Sequence, residues 1–287
     1  MKGWLIVNGF LRTEKYRRMY ALLQNAAKKF GIELLLKWGD ELIGDSFVLD
    51  SERPDFALFW DKDILLAKRL ENAGLRLFNS AAAVENCDNK MLTALCLDRA
   101  GLPTPKTVFA PKTFEGIGYN RTDFFKRAEE MLGYPMIVKE AYGSFGRQVY
   151  LIHTREEALA LFLTLGHKEF LMQEFIKESE GRDIRVNVVG RCAVSAIKRV
   201  NTEDFRSNIS GGGRAEKIEI TKEQEALAVA ACVAVGADFA GVDLLFGKDG
   251  KTLVCEVNSN PHFESSIACT GVDVSEEIMR YVFEELL

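Results

Sequence analysis

Several features that define common protein classes are missing from this chain of 287 residues. Only three histidines occur, and the six cysteines lie far apart without a CxxC pair. Neither a zinc site nor a disulfide scaffold is therefore expected, and a reducing cytoplasm is the predicted location. A net charge of −5 argues against binding nucleic acid, whose partners usually carry a basic excess. No apolar run approaches the roughly 20 residues of a membrane-spanning helix, so no membrane partner is expected.

The sequence signatures of two nucleotide-binding folds are absent as well. Neither GxGxxG nor GxxxxGK followed by Ser or Thr occurs, so the Rossmann and P-loop interpretations have no support. The apolar run at the N-terminus is too short for a signal peptide and predicts a first buried strand. Strand-like and helix-like segments then alternate, which predicts a small parallel α/β domain. The predicted strands are 4–8, 32–37, 56–60 and 75–78, and the predicted helices are 14–30 and 64–72.

The middle of the chain predicts a helix and then a hairpin that contains glycine. Asp88 is the predicted N-cap of the helix. Strands at 135–140 and 147–153 flank a glycine loop (residues 143–146), whose backbone N–H groups could fold over an anion. Lys139, near the end of the first strand, would aim its ammonium group at phosphates. A tight turn without a ligand is the alternative interpretation.

Two alternating runs near the C-terminus, 240–246 and 253–258, predict a β-hairpin with its turn at Asp249-Gly250. The predicted register places Asp243 opposite Glu256 and Gly241 opposite Asn258. Leu245 and Val254 lie opposite each other on the same acidic face. The predicted core face carries Val242, Leu244, Phe246, Leu253, Cys255 and Val257.

The acidic face of this hairpin predicts a metal site. The Cβ atoms of Asp243 and Glu256 would lie about 4.5–5.5 Å apart, so the two carboxylates would repel each other unless a cation compensates. Asn258 adds a third oxygen two residues beyond Glu256. These hard oxygen ligands suit Mg²⁺ or Mn²⁺ rather than zinc. Solvated acids, or one protonated carboxyl group, are the alternatives.

Two further segments carry polar residues that suit an anionic ligand. Asp183, Arg185 and Asn187 share one face of a predicted strand, although plain solvent exposure would give the same pattern. The run 206–208, which is Arg-Ser-Asn, precedes three glycines at 211–213. Arginine, serine and asparagine together can bind a phosphate or a carboxylate. A disordered surface loop is the alternative for this second segment.

The order of these motifs resembles that of the RimK-type ATP-grasp ligases, which include the LysX-like enzymes. The resemblance covers about residues 80–280 and is weaker before them. Each motif alone is weak, but eight motifs in the family's order are specific. The matching segments are 89–90, 137–139, 143–146, 173–178, 183–185, 204–208, 241–243 and 256–258, and 270–273 fits the family's close.

The resemblance implies an ATP-grasp fold, α/β at its N-terminal end and α+β in its C-terminal part, with ATP between two antiparallel sheets. It implies an N-terminal α/β domain (1–85), a central lid subdomain (86–172) and a C-terminal subdomain with the metal site (173–287). The implied contacts to ATP are Lys90, Lys139, Gly143, Ser144, Gly146, Glu174, Phe175, Asp183, Arg206, Ser207 and Asn208. The implied catalytic residues are Arg185, Arg206 and Asn208. The implied ligands of two Mg²⁺ or Mn²⁺ ions are Asp243, Glu256 and Asn258.

The implied activity is that of an ATP-dependent carboxylate–amine ligase. A substrate carboxylate takes the γ-phosphoryl group to form an acyl phosphate, and an amine then displaces phosphate and leaves an amide. The expected partners are an amino acid, with glutamate as the candidate amine, and a carboxylate on a metabolite, a peptide or a protein C-terminus. Whether the protein forms a homo-oligomer is left open. Two alternatives are a regulatory nucleotide-binding module that lost ligation and a kinase that stops at the acyl phosphate.

The sequence departs from the family pattern at two places. Residues 259–264 read Ser-Asn-Pro-His-Phe-Glu, where relatives usually have a small residue, proline and glycine. His262 and Phe263 therefore change the wall near the acceptor. Residues 40–51 show no match, in a part of the fold that often shapes substrate choice. The reaction type is thus better supported by the sequence than the substrate.

Overall fold

The computed structural model describes residues 1–44 and 53–287 of the chain. Its N-terminal part is a parallel sheet of four strands in the order β2-β1-β3-β4, with two helices. The strands are β1 (Lys2–Val7), β2 (Glu33–Trp38), β3 (Phe56–Trp60) and β4 (Arg76–Phe78), and the helices are α1 (Glu14–Lys29) and α2 (Ile64–Asn72). All six segments lie where the sequence predicts them, because the buried strands and the amphipathic helices each have a clear period. Most of the unmatched stretch 40–51 lies outside the described residues.

The central part is an antiparallel sheet of four strands in the order β5-β8-β6-β7. Its strands are β5 (Thr107–Phe109), β6 (Met136–Glu140), β7 (Val149–Ile152) and β8 (Phe170–Glu174). Helices α5 (Asp123–Leu132) and α6 (Arg155–Leu165) pack on it, whereas α3 (Ala81–Asp88) and α4 (Lys90–Arg99) precede it in the chain and join the core of the C-terminal part. The predicted N-cap at Asp88 is wrong. Asp88 ends α3, and the side chain of Asn89 caps α4 by accepting from the backbone N–H groups of Met91 and Leu92. Two short helices meet there, which a single helical period does not reveal.

The C-terminal part is an antiparallel sheet of five strands in the order β11-β10-β9-β12-β13. Its strands are β9 (Arg182–Val189), β10 (Cys192–Val200), β11 (Arg214–Lys217), β12 (Phe239–Phe246) and β13 (Thr252–Asn258), and the remaining helices are α7 (Lys222–Val235), α8 (Glu264–Thr270) and α9 (Val274–Glu285). Helix α9 packs on α1, so the last helix of the chain helps to close the core of the N-terminal sheet.

The register of the β12–β13 hairpin confirms two predicted pairs and corrects the third. Asp243 pairs with Glu256 and Gly241 with Asn258, and the turn lies at Asp249-Gly250. Leu245, however, pairs with Leu253 instead of Val254.

The cause is a bulge that leaves Cys255 unpaired between Asp243 and Leu244. Leu244, Leu245 and Phe246 then pair with Val254, Leu253 and Thr252, so the strands stay one residue away from the predicted register between the bulge and the turn. The bulge reverses three predicted orientations. Leu253, predicted on the core face, pairs with Leu245, which lines the cleft. Val254 lies in the core, while Cys255 faces the cleft that carries the acids.

Asn79 joins the N-terminal and C-terminal parts. It is fully buried, and its amide group donates to the carbonyl oxygens of Phe239 and Ser259 at 2.9 and 3.1 Å. Its Oδ1 accepts from the backbone N–H groups of Asp238 and Phe239. One side chain thus satisfies four backbone groups that lie far from it in sequence.

The predicted domain boundaries stay a prediction. Within the two described ranges, no helix is both long and apolar enough to cross a bilayer.

Candidate active site

A cleft of about 820 Å³ lies where the three sheets meet. The two antiparallel sheets form one end of it, and the carboxyl ends of β1 and β3 form the other. A cleft of this size suits a ligand as large as a nucleotide. Every residue that the resemblance implies as an ATP contact, a catalytic residue or a metal ligand lines it: Lys90, Lys139, Gly143, Ser144, Gly146, Glu174, Phe175, Asp183, Arg185, Arg206, Ser207, Asn208, Asp243, Glu256 and Asn258. Asn187 and Phe263, which the sequence also indicated, are buried and do not line it.

The floor of the cleft is a buried network of four charges on neighbouring strands. Arg185 of β9 donates to both carboxylate oxygens of Asp243 on β12, one of them at 2.8 Å from Nη2. Arg199 of β10 donates to both carboxylate oxygens of Asp183 and lies 2.9 Å from Asp243 Oδ2. The polar face of β9 is therefore buried, so the alternative of plain solvent exposure is wrong. Two guanidinium groups balance two carboxylates, so the network is neutral as a unit.

This network changes the argument for the acidic pair. Burial acts to raise the pKa of Asp243, but Arg185 and Arg199 outweigh it and hold that pKa below its ordinary value. Burial likewise acts to lower the pKa of Arg199, and its two aspartate partners outweigh burial and raise it. Asp243 is therefore ionised and compensated by arginine. Repulsion between Asp243 and Glu256 does not by itself require a metal ion, contrary to the sequence argument.

The donors that face the cleft nevertheless fit a hard divalent cation. Glu256 and Asn258 lie two residues apart on β13 and both line the cleft. Asn258 Nδ2 points to Gly241 O at 3.4 Å, which leaves its Oδ1 toward the opposite side. Among the described residues, no three His, Cys, Asp or Glu side chains come together as a metal-binding group. A protein site with one or two carboxylates, completed by phosphate oxygens, is the arrangement that Mg²⁺ favours.

The glycine loop is held over the cleft by two cationic side chains. Lys90 Nζ donates to Gly143 O at 3.0 Å, and Arg206 Nη1 donates to Gly146 O at 2.7 Å. Gly146 has φ +73°, and a Cβ there would lie 2.8 Å from Asn208 Oδ1, so only glycine permits this approach. The loop connects β6 to β7 as a hairpin, as predicted.

Arg206 is fixed by a second contact. Its Nε and Nη2 donate to the two carboxylate oxygens of Asp204 at 2.9 and 2.7 Å. This hydrogen-bonded pair raises the pKa of Arg206 and lowers that of Asp204. The guanidinium group thus bridges the 204–208 segment and the glycine loop, and its position depends on three donors in one plane.

Two further predicted contacts have partners inside the protein. Lys139 Nζ lies 3.5 Å from Cys255 Sγ, across the cleft from its own strand. No carboxylate pairs with Lys139 among the described residues, so its ammonium group is available to an anion. Glu174 accepts from the backbone N–H of Lys106 at 2.8 Å. Its carboxylate therefore stabilises the pairing of β5 with β8, and Phe175 follows at the rim.

The opposite end of the cleft contains residues that the sequence motifs did not indicate. They include Asn8, Lys15, Tyr16, Trp60, Asp61, Lys62 and Asn260. Lys62 Nζ donates to Asp88 at 2.5 Å and to Ser144 Oγ at 3.3 Å, so the N-terminal part touches the glycine loop. Arg199 was also missed, although its position opposite Asp183 follows from pairing β9 with β10.

His262 lies at this opposite end, where the sequence departs from the family pattern. Its ring centroid is 5.2 Å from that of Tyr16 and 5.7 Å from that of Phe145 in the glycine loop. Burial, assisted by the nearby charges of Lys15 and Arg185, lowers the pKa of His262 to about 4. The imidazole is therefore neutral at physiological pH.

Antiparallel sheets that enclose a cleft lined by lysine, arginine and a glycine loop define an ATP-grasp enzyme. A family model described as the RimK-like ATP-grasp domain matches residues 87–282. The chain therefore belongs to the RimK-like ATP-grasp family. This confirms the resemblance and the fold class given by the sequence. It also confirms the enzyme class, an ATP-dependent carboxylate–amine ligase that uses ATP with Mg²⁺.

Three named relatives are similar to this chain over most of its length. Beta-citrylglutamate synthase B of Danio rerio is 35% identical over 79% of this chain and 55% of its own length. N-acetylaspartylglutamate synthase A of Homo sapiens is 35% identical over 79% of this chain and 57% of its own length. A probable alpha-L-glutamate ligase of Trichodesmium erythraeum is 35% identical over 77% of this chain and 72% of its own length. The chain thus matches just over half the length of the two synthases.

Solved structures show the same fold across the whole chain. A RimK-domain ATP-grasp protein from Sphaerobacter thermophilus has a TM-score of 0.74 and 23% identity over 98% of both chains. A D-alanine–D-alanine ligase from Bacillus anthracis, complexed with ATP, has a TM-score of 0.71 and 20% identity over 99% of both chains. At these identities the likeness establishes the fold alone.

Proposed function

We propose that the chain joins glutamate to a carboxylic acid at the expense of ATP. The relatives at 35% identity form bonds to glutamate by name, and they include acceptors as different as citrate and N-acetylaspartate. The observation that carries the proposal is the single cleft that gathers every predicted site residue and continues to the carboxyl ends of β1 and β3. ATP would occupy the first end, and the acid would occupy the second.

The proposed nucleotide site uses the charges that remain free. Lys139 and Lys90 would contact the phosphates, and backbone N–H groups of the glycine loop would cover them. Phe175, next to Glu174, would border the adenine. Asp183 would contribute through its pair with Arg199, because both of its oxygens are already engaged.

The proposed metal site consists of Glu256, Asn258 and Asp243, with two Mg²⁺ or Mn²⁺ ions completed by phosphate oxygens. When bound, the metal withdraws charge from the β- and γ-phosphate oxygens. Asp243 can be a metal ligand only if its carboxylate oxygens contact the ion as well as Arg185 and Arg199. The hydrogen bonds from these two arginines hold the carboxylate in place.

The proposed chemistry needs positioning and electrostatics rather than a protein nucleophile. Arg206 would hold the transferred phosphoryl group, and Arg185 would stabilise the developing charge above the floor. Ser207 and Asn208 would orient the acceptor beside the glycine loop. A closed loop would keep water from the acyl phosphate. The amine then attacks the acyl carbon, phosphate leaves, and the amine loses a proton as the amide forms.

The proposed organisation has three parts, at 1–85, 86–172 and 173–287, with the middle part able to close over the nucleotide. A cytoplasmic location and assembly into a homo-oligomer are consistent with the sequence and remain predictions.

The test is a screen of ADP release with ATP, Mg²⁺, glutamate and a panel of acids. The ligase requires both the acid and glutamate, and the product carries an amide. ADP release that needs the acid but not the amine, with a product that hydroxylamine traps, would identify a kinase. Tight ATP binding without turnover on any acid would identify a regulatory module.

A further inference from the structure

The glycine loop reaches from one end of the cleft to the other. Its two outer residues are held at the nucleotide end, where Lys90 donates to Gly143 O and Arg206 donates to Gly146 O. Its tip, Phe145, contacts instead the acid end, which is the part of the cleft at the carboxyl ends of β1 and β3. The same loop therefore lies beside both proposed substrate positions.

Two parts of the molecule contact the Phe145 ring. Its centroid lies 5.7 Å from that of His262, which follows β13, and Lys15 Nζ of α1 lies over the ring at 5.6 Å from its centroid. The His262 ring lies in turn 5.2 Å from that of Tyr16, also on α1. These separations are typical of aromatic pairs, and the neutral imidazole packs here as a ring. Three rings thus form a row from the loop tip to α1.

The backbone of Phe145 indicates that these contacts hold the tip in place. Its φ is +60°, in the left-handed region that a bulky side chain rarely adopts. Such a conformation persists only where the surroundings determine it. The residue is 42% exposed, so burial in a core does not account for it. The contacts with His262 and Lys15 supply the necessary constraint.

The residue beside the tip has a similar contact. Lys62, just after the carboxyl end of β3, donates to Ser144 Oγ at 3.3 Å. Through Lys62 and Lys15, the N-terminal part contacts two successive residues of the loop. The position of the loop therefore depends on the walls of the acid end as well as on its anchors at the nucleotide end.

A loop held across both ends separates the reacting groups from water. Water that reaches an acyl phosphate bonds through its oxygen to the acyl carbon, and the bond from that carbon to the phosphate oxygen breaks. The acid is returned, phosphate leaves, and the protons of the water pass to phosphate and solvent. ATP is then consumed without an amide. Closure of a loop over the site prevents this side reaction.

We propose that Phe145 is a positioning residue, whose contact with His262 keeps the glycine loop closed across both ends of the cleft while the amine attacks. The inference rests on the proposed function, and it assigns to this contact the partition of the acyl phosphate between amine and water. His262 lies in the stretch where the sequence departs from the family pattern, so the shared motifs of the family do not supply this contact.

The test measures the amide formed per ADP released, with ATP, Mg²⁺, glutamate and an acid that the wild type accepts. ADP released without the acid is subtracted. Phe145→Ala should lower this ratio by about fivefold, because losing an aromatic pair lowers the population of the closed loop by about that factor. Phe145→Tyr, which keeps the ring, should retain the wild-type ratio. A merely structural role would change the fraction of folded protein, on which the ratio does not depend.

A second variant assigns the effect to the contact with His262. His262→Ala should lower the ratio as Phe145→Ala does, and the double variant should lose no more than either single variant. Phe114→Ala is the matched control, since Phe114 is an exposed phenylalanine that lies outside the cleft. Additive losses in the double variant, or an equal loss in Phe114→Ala, would overturn the assignment.

The contact itself can be tested without turnover. The chain has three histidines, so NMR can resolve the ring signals of His262 and assign them with His262→Ala. Phe145→Leu removes the ring current and should move the His262 signals, while those of His153 and His167 stay in place. Unmoved His262 signals would overturn the inference whatever the turnover of the variant.

The inference and the proposed function fail in different ways. Wild-type protein that forms no amide with any acid rejects the ligase, and the role of Phe145 with it. Amide formation by wild-type protein and by Phe145→Ala at the same ratio to ADP rejects the inference alone.

Discussion

Buried polar side chains have partners within the protein at one end of the cleft but lack them at the other. At the nucleotide end, Asp183, Arg185, Arg199 and Asp243 satisfy one another, so that end is complete without a ligand. At the acid end, the indole of Trp60, the amide of Asn260 and the imidazole of His262 each keep one buried atom unpaired. The first end therefore holds buried charges in fixed positions, and the second holds uncharged polar atoms without partners.

The difference has an electrostatic cause. A neutral network of charges tolerates burial because every ion has a counterion, but removing one member leaves the others uncompensated. Unpaired neutral groups cost less to bury, and binding a ligand recovers that cost. Substitutions at the nucleotide end should therefore affect rate and folding, whereas substitutions at the acid end should affect which acid is chosen.

The largest expected effect is on the metal side of the nucleotide end. Glu256→Gln removes a carboxylate that forms no ion pair within the described ranges 1–44 and 53–287. It should lower turnover by on the order of 10²–10⁴, through lost charge stabilisation in the transition state. ADP release at varied Mg²⁺ measures this. Glu203→Gln, an exposed acid outside the cleft, is the control. A wild-type rate in Glu256→Gln would remove it from the metal site.

Asp243→Asn tests whether the charge network is also structural. The change leaves Arg185 and Arg199 with one carboxylate between them and should lower the free energy of unfolding by about 3–5 kcal/mol. It should also weaken Mg²⁺ binding. Chemical denaturation and calorimetry measure the two effects separately.

The pH dependence of the same variant gives a second measure. Because the pKa of Asp243 is lowered in the folded state, its contribution is present above the ordinary carboxylate range and is lost as the pH falls below it. Wild-type protein should lose more stability on acidification than Asp243→Asn. Equal acid sensitivity would mean that the network contributes nothing to folding.

Arg206→Lys tests positioning at the junction of the glycine loop and the acceptor. Lysine keeps the charge but cannot contact Asp204 bidentately and reach Gly146 O as well. ATP affinity should be kept while kcat and kcat/KM fall together by on the order of 10². Nucleotide affinity and glutamate-dependent ADP release on one preparation provide the measurement. Lost ATP affinity with a normal kcat would move Arg206 away from the reacting groups.

Lys139→Ala should have the smallest effect of this set. A triphosphate that loses one cationic partner should bind on the order of tenfold more weakly, while adenosine recognition survives. Lys126→Ala, an exposed lysine on α5, is the matched control. An unchanged ATP affinity by calorimetry would mean that Lys139 does not contact the nucleotide.

The two ends also differ in how far sequence could predict them. The residues at the nucleotide end belong to short local motifs. The pairs Asp243–Glu256 and Gly241–Asn258 follow from the strand period and the turn type. The bulge at Cys255 could not be predicted, because it depends on how β13 fits its neighbours. Nor could the role of Arg199 as a counterion of Asp243, since the strand that separates them in the sheet is set by tertiary pairing.

No sequence motif indicated the residues at the acid end. Trp60 ends a buried strand and looks like core, while Asn260 and His262 follow the last motif about two hundred residues later. Only the departure at 259–264 indicated this wall. Its meaning required the contact between Asn260 and Asp61, which no local pattern specifies.

Isotope transfer tests the central claim, ligation through an acyl phosphate, most directly. The acid is labelled with ¹⁸O in both carboxylate oxygens and incubated with ATP, Mg²⁺ and glutamate, and the released phosphate is analysed by mass spectrometry. Attack of the carboxylate on the γ-phosphorus makes the labelled oxygen the bridge, and attack of the amine on the acyl carbon leaves that oxygen on phosphate. The account predicts one ¹⁸O in each phosphate, formed together with the amide. Unlabelled phosphate released alongside ADP would contradict it, because water would then be attacking ATP.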